Sequence, residues 1–418
     1  MKEQFQQAID SAFAENGPLC KKIEGFKRRE SQLQFAHAVA EAIDSRSTAV
    51  VEAGTGTGKT FAYLVPAILS RSKTIVSTAS KTLQDQLFNK DVGRICSALS
   101  IDADVAVLKG RSNYICKERL DQLVDRGLLP EADSYKRLKK IIDFAKLSVS
   151  GDKNDISGIP EKDPLWPWVT STKDNCLGKS KCPHYDDCFL NRARARAKEA
   201  DVVIVNHHLF MADLSLKDDT MAELLPEADL IIIDEAHHTA AKTYKGILEH
   251  FIDAKVLGVT ATPDRSDMKS LSDIFDSLAF EYKLPDAIRE GYLCKINTKT
   301  IPVEVDISKV HINAGDFSAQ DLGNVLDLYL DTIADAIVRE CQNRKTVIFT
   351  PLVRISKRLC NILNKRNFKT AEVNGASADR KDVLKGFDNG EYKALTNAML
   401  LTEGWDCPTV DCIICLRP

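Results

Sequence analysis

The chain has 418 residues, enough for two or three domains each with its own core, and its 44% hydrophobic and 28% charged content is ordinary for a globular protein. A net charge of −3 excludes a global basic field, so any nucleic-acid contact must come from local patches. The N-terminal Met1–Gln7 has no signal-peptide pattern and no apolar run approaches roughly 18 residues, so a soluble, cytoplasmic protein is expected. In that compartment disulfides are rare, and close spacing among the 12 cysteines points to metal or cluster ligation.

Residues 1–25 read as polar helix ending near Gly17-Pro18, and a helical pattern runs from about Gln32 to Ile43. Val50 and Val51 then end a buried strand, and Ala53-Gly54-Thr55-Gly56-Thr57-Gly58-Lys59-Thr60 turns into an apolar helix over Phe61–Leu69. This is the pattern of a phosphate-binding loop: glycines let backbone N–H groups close on phosphates, and the helix adds its positive end. Lys59 would reach the β- and γ-phosphates and the Thr60 hydroxyl would hold Mg²⁺, so ATP and Mg²⁺ are the expected ligands. Ala53 stands where the general pattern has glycine. The resulting A-x-x-G-x-G-K-T form resembles the variant usual in nucleic-acid helicases. Upstream, Arg29-Glu30-Ser31-Gln32 resembles the adenine-reading element of superfamily 2 helicases. Gln32 offers both a donor and an acceptor to the adenine edge, and Phe26 is placed to pack on the ring.

Lys73–Thr78 reads as a second buried strand and Lys81–Leu87 as the helix after it, an alternation that predicts a doubly wound parallel sheet. Ser77, Thr78 and Gln86 lie where such helicases touch the DNA backbone. Val105–Leu108 is a further strand. Residues 110–199 then break the pattern with Cys116, Cys176, Cys182 and Cys188, Trp166, Trp168 and a basic helix over Arg192–Lys198. Five residues separate each of the last three cysteines, and 59 lie between Cys116 and Cys176. Four thiolates suit a tetrahedral S₄ site for zinc or an iron–sulfur cluster. Zinc favours shorter gaps, which tilts the reading toward iron.

Lys109-Gly110-Arg111-Ser112-Asn113-Tyr114-Ile115-Cys116, Asp174–Gly178, Cys182–Phe189 and Asp201–Phe210 together resemble the iron–sulfur insertion of the DinG/YoaA branch of XPD-like DNA helicases. The likeness runs from about Phe26 to His238, roughly half the chain. It implies that Cys116, Cys176, Cys182 and Cys188 hold a [4Fe–4S] cluster shaping a domain that grips single-stranded DNA. Leu230–Ile233 ends in Asp234-Glu235-Ala236-His237, a strand-terminal carboxylate pair. Asp234 would hold Mg²⁺ through water and Glu235 would orient the attacking water, with His237 coupling nucleotide state to DNA. His238 is given no role.

Beyond this point the resemblance changes. DinG/YoaA proteins carry a large arch-shaped insertion here, whereas 25 residues separate Asp234 from Thr260. Thr260-Ala261-Thr262 resembles a motif of DEAD/DEAH and restriction-translocase helicases, and Lys345–Pro351 resembles motif IV of the same superfamily. Leu400–Pro408 resembles motif V, in which Thr402 and Gly404 would meet DNA and Asp406 would face the nucleotide. Residues 239–418 thus look like a second branch joined near residue 240. No Q-x-x-G-R-x-x-R motif follows Asp406. Cys412 and Cys415, in an apolar strand, read as core and not as a metal pair.

The expected fold is α/β with two RecA-like doubly wound parallel-sheet lobes, the first carrying a cysteine-rich helical insertion. Lobe 1 would comprise 1–109 and 200–285, the insertion 110–199, and lobe 2 residues 286–418. The expected function is an ATP-dependent helicase or translocase acting on single-stranded, forked or overhang DNA in repair. The competing readings are an ATP- and DNA-binding module with little turnover, and a restriction-type double-strand translocase.

Overall fold

Unbroken runs of Val, Ile and Leu make strands that are apolar on both faces, and such strands bury themselves in parallel sheets covered by helices. In the computed structural model this is the organising feature. It describes residues 2–45, 48–54, 56–79, 81–127, 134–160, 162–215, 225–236, 246, 251, 253–260, 275, 277–301, 310–313, 316–375, 377, 380–398, 400–401, 405 and 407–416. Contacts divide the chain into two units. One holds Met1–Leu128, Ala145–Lys153 and Pro167–Ile296; the other holds Leu129–Phe144, Asn154–Trp166 and Asn297–Pro418.

In the first unit the strands are β1 (Ala49–Ala53), β2 (Thr74–Thr78), β3 (Val105–Val107), β4 (Val202–Asn206), β5 (Leu230–Asp234), β6 (Lys255–Thr260) and β7 (Ser277–Tyr282). They form a 7-stranded sheet in the order β3-β4-β2-β5-β6-β1-β7. Every pairing is parallel, with Val51 opposite Val259 and Ile231 opposite Val256. The strands β1, β2, β4 and β5 are buried at every position. Edge strand β7 is exposed over most of its length and had no clear signature in the sequence.

The helices covering this sheet are α1 (Lys2–Phe13), α2 (Pro18–Lys22), α3 (Glu30–Ser45), α4 (Lys59–Ser70), α5 (Lys81–Gln86) and α6 (Gly93–Leu99). Pro18 opens α2, where its missing N–H costs nothing. Phe35, Ala36, Val39 and Ala40 of α3 share one core with Tyr63, Leu64 and Val65 of α4 and with Val51 and Val259 of the sheet. That packing joins the segment before the phosphate loop to the helix after it.

The cysteine-rich segment contains α7 (Lys117–Arg126), α8 (Ser134–Leu147), α9 (Trp166–Val169) and α10 (Phe189–Glu199), with α11 (His207–Ser215) following β4. Two isolated antiparallel bridges, Tyr114 to Asp152 and Ile115 to Thr170, pin its backbone together. Gly151 passes so close to Phe189 that a Cβ there would stand 2.1 Å from the ring, and its φ of +64° is also one that side chains avoid. The main anchor is ionic. Lys109, with 5% of its side chain exposed, places Nζ 2.6 Å from Asp152 and 2.7 Å from Asp85 of α5. Burial alone would lower the Lys109 pKa, but Asp152 and Asp85 together hold it above its ordinary value.

After α12 (Leu284–Arg289), still in the first unit, the 297–418 part of the second unit begins with a two-stranded antiparallel pair, β8 (Ile312–Asn313) and β9 (Asp316–Phe317). Its sheet comprises β10 (Thr346–Phe349), β11 (Thr370–Val373), β12 (Ala394–Asn397) and β13 (Cys412–Cys415), in the parallel order β11-β12-β10-β13. Around it lie α13 (Ala319–Asp327), α14 (Leu330–Cys341), α15 (Val353–Lys365) and α16 (Arg380–Asp388). Leu330, Ile333 and Ile337 of α14 pack with Ile355, Leu359 and Leu363 of α15 in one cluster. Phe387 of α16 packs with Val373 and Leu395 in another.

One expectation for β13 needs correction. Its residues alternate faces, so Cys412 is half-buried and lies 3.6 Å from Cys341, while Cys415 is exposed. Three residues apart on a strand, the two thiols point to opposite faces, which excludes a metal pair but also takes Cys415 out of the core. Among the described residues no helix is long and apolar enough to cross a membrane.

Removing the Lys109 charge leaves the nearly buried Asp152 carboxylate without its counter-charge, beside the part-exposed Asp85. Lys109→Met should therefore destabilise the first unit by about 3 kcal/mol, the cost of breaking a buried pair. Denaturant unfolding of the variant checks this, and a loss under 1 kcal/mol would show that the anchor is solvated.

Candidate active site

Because β1 and β5 run parallel in one sheet, the residues following them emerge at the same edge, separated there by β6. That topology brings Gly54–Thr60 and Asp234-Glu235 together. Ala53, 1% exposed, closes β1, and the Gly54 N–H donates to the Tyr282 carbonyl of β7 at 3.2 Å. The Thr57 hydroxyl donates back to the Gly54 carbonyl at 2.6 Å, drawing the loop into a tight turn. Thr55 lies outside the described residues. Gly56 and Gly58 have φ of +77° and +89°. Gly58 precedes α4 with no side chain capping it, so Lys59 and Thr60 occupy the helix's first turn beside uncapped N–H groups.

Two residues from the start of α3 hold the loop from behind. The Arg29 guanidinium donates to the Gly56 carbonyl at 2.7 Å and lies 5.3 Å over the Tyr292 ring. The Gln32 amide donates to the Gly58 carbonyl at 2.8 Å, and a Cβ on Gly58 would stand 2.2 Å from that nitrogen. Gln32 is 4% exposed, and its Oε1 is buried with no hydrogen-bond partner among the described residues. The donor half of the amide is thus committed to the loop. Phe26 does not stand free as an adenine platform. It packs on Phe61 at 5.4 Å and Phe13 at 6.2 Å.

Asp234 is 4% exposed at the end of β5. The buried Tyr63 hydroxyl of α4 donates to its Oδ2 at 3.0 Å, and the Glu235 N–H donates to its Oδ1 at 3.1 Å. Burial pushes the Asp234 carboxyl above its ordinary pKa; the Lys59 charge, Tyr63 and the Glu235 N–H oppose that rise. Burial lowers Lys59 in turn, against the charges of Asp234 and Glu235. The lysine and both carboxylates therefore sense one another. Glu235 has φ +60°, a left-handed conformation that non-glycine residues adopt at a cost and that concentrates at functional sites. His237, His238, Ala261, Thr262, Thr402, Gly404 and Asp406 lie outside the described residues. Thr260 is fully buried at the end of β6.

The expected DNA-facing hydroxyls are placed otherwise. Ser77 and Thr78 are 0% exposed, because β2 is a central strand flanked by β4 and β5, and Ser77 lies 2.6 Å from His207 Nδ1. Gln86 donates to Asp91 at 3.0 Å. Sequence reading located the strand end but missed its depth in the sheet. Tyr63 was missed as well, since an apolar helix gives no signal that one of its aromatics carries a polar contact.

Of the four cysteines in the insertion, Cys116 directly precedes α7 and Cys188 directly precedes α10, so both thiols sit at helix N-termini. Contacts of Lys117 with Asp187, and of His184 with Asp121 at 2.8 Å, tie the start of α7 to the 182–189 loop. Burial pushes the Cys116 thiol up, and the nearby Cys188, Cys182 and Cys176 thiols push the same way. Burial also lowers Arg194, while the charges of Cys188 and Cys176 support it. The donor set and its positive surroundings fit a thiolate-ligated, negatively charged group. Among the described residues, however, no group of three or more His, Cys, Asp or Glu side chains forms a closed metal-ligating arrangement.

A glycine-rich loop after a parallel strand, a Lys-Thr opening the next helix and a carboxylate pair ending a second strand define a P-loop nucleotide-binding protein built on RecA-like sheets. Residues 32–125 match the family described as DEAD/DEAH box helicase, 131–265 the type III restriction enzyme res subunit, and 329–418 the helicase conserved C-terminal domain. Over 280 residues the chain is 42% identical to the ATP-dependent DNA helicase YoaA of Haemophilus influenzae, covering 66% of this chain and 44% of that protein. It is 36% identical over 240 residues to the ATP-dependent helicase DinG of Mycobacterium tuberculosis, covering 52% of this chain and 35% of that protein. The solved DEAD-box helicase Mss116, bound to ssRNA and UDP-BeF, shares the fold at a TM-score of 0.53 and 15% identity, over 98% of this chain and 69% of that one. Three helicase-family models and the YoaA and DinG likenesses support a resemblance to DinG/YoaA-type superfamily 2 helicases. The chain spans less than half the length of these curated relatives, and the YoaA likeness covers more than the half-chain expected from motifs.

Proposed function

We propose that this chain carries the ATP-driven core of a DNA helicase, hydrolysing ATP to move along single-stranded DNA and part forked or overhang duplexes. The observation that carries the reading is the convergence of Lys59, Thr60, Asp234 and Glu235 on one sheet edge. The 42% identity to a protein named an ATP-dependent DNA helicase supports the nucleotide and the nucleic acid. In this reading Ala53–Thr60 wraps the phosphates, Lys59 contacts the β- and γ-oxygens, and Gln32 uses its buried Oε1 to accept from the adenine amino group. Thr60 and Asp234 hold Mg²⁺, Glu235 orients the attacking water, and Asp406 faces the nucleotide. Residues 1–109 and 200–285 serve as lobe 1, 110–199 as the insertion and 286–418 as lobe 2, in a cytoplasmic protein acting in DNA repair.

Cys116, Cys176, Cys182 and Cys188 hold a [4Fe–4S] cluster in the same reading. When bound, the cluster would cross-link four thiolates and order the insertion. Two helix N-termini and Arg194 favour its negative charge.

Lys59→Ala should abolish DNA-stimulated ATP hydrolysis without unfolding the protein, whereas Glu235→Gln should bind ATP with near wild-type affinity and turn over at least about 100-fold more slowly. Fluorescent-nucleotide binding beside a phosphate-release assay separates the two; wild-type turnover in Lys59→Ala places the nucleotide site elsewhere. Anaerobically purified protein should contain about four iron atoms per chain and absorb near roughly 400 nm. Cys182→Ser should bleach that band and weaken single-stranded DNA binding more than ATP binding. Stoichiometric zinc without visible absorbance would replace the cluster by a zinc site.

A further inference from the structure

The reading above assigns Mg²⁺ to Thr60 and Asp234, which come from different elements, α4 and β5. What sets their spacing is one buried hydroxyl. Tyr63 is fully buried one turn along α4 from Thr60, and its Oη lies 3.0 Å from Asp234 Oδ2. A carboxylate can only accept, so the Tyr63 proton points to Asp234. That bond fixes Oδ2 of Asp234 against α4, the helix that Thr60 helps to open.

Resting on the nucleotide-site reading, we infer that Tyr63 is the positioning residue of the Mg²⁺ site. Its hydroxyl holds one oxygen of Asp234 against α4, so that the Asp234 carboxylate and Thr60, at the start of that helix, face the cation together. Tyr63 itself touches neither metal nor nucleotide. Its surroundings support a fixed role: Tyr63 is itself 0% exposed and belongs to the core cluster shared by α3, α4 and the sheet. Groups outside the metal's own ligands that orient those ligands commonly alter metal affinity or activity by about 10–100-fold when removed.

The test uses the full chain and Tyr63→Phe, which deletes one oxygen and keeps the ring. Binding of a fluorescent ATP analogue is titrated against Mg²⁺, with a parallel series in EDTA, and thermal unfolding is recorded for each protein. The expected result is unchanged metal-free nucleotide affinity, an apparent Mg²⁺ affinity weakened about 10-fold, and a lower kcat that rises again in excess Mg²⁺. A variant that melts earlier but titrates with Mg²⁺ as wild type does would make Tyr63 structural and overturn the inference. Wild-type protein binding the analogue with no Mg²⁺ dependence at all would overturn the nucleotide-site reading beneath it, and this inference with it.

Discussion

A carboxylate almost wholly removed from water sits at the end of β5, and the architecture of the first unit can be understood from what that requires. An isolated buried charge is expensive, so Asp234 needs donors and a counter-charge close by. It receives a phenol from α4, the N–H of Glu235 and the charge of Lys59. The N–H is the next residue's own, but Tyr63 and Lys59 come from a helix that only the parallel sheet brings beside β5. Tyr63 lies one helical turn beyond Thr60. The phosphate loop and the carboxylate pair are therefore one structure joined through α4. The loop's rear support, Arg29 and Gln32, extends the same logic to α3, whose apolar face shares its core with α4.

The insertion obeys a similar economy of buried charge. It leaves the sheet after β3 and returns before β4, two neighbouring strands, so it can vary without disturbing the sheet order. Lys109 sits at that exit and joins Asp85 beside the sheet to Asp152 inside the insertion. Further out, backbone bridges at Tyr114 and Ile115 and side-chain contacts from α7 to the 182–189 loop tie the insertion together. Positive helix ends at Cys116 and Cys188 favour negative charge there.

The second unit repeats the principle with a smaller sheet. Helices α14 and α15 cover one cluster and α16 another, so β10 and β12 are enclosed while β13 remains an edge with Ile413 exposed. Cys412 and Cys415 show what an edge does to a sequence reading: an apolar run looks like core throughout, yet alternation sends every second residue outward.

Much of this was legible in the chain itself. Apolar runs ending in Gly54–Thr60 and in Asp234-Glu235 located two strands of one sheet and their chemistry, because the phosphate loop depends on glycines and charges placed at fixed local offsets. Strand–helix alternation gave the α/β class, and cysteine spacing singled out the insertion. Local pattern could not give depth. Ser77 and Thr78 look like accessible hydroxyls until β2 is seen to lie between β4 and β5, and the sequence does not show that Phe26 packs on Phe13 and Phe61. Nor could it show β7, whose mixed, exposed residues form a strand because β1 offers an unpaired edge. Tyr63 is the clearest case. In the sequence it is one aromatic of an apolar helix; only the fold brings its hydroxyl to Asp234, 171 residues away, where a buried charge must find a donor.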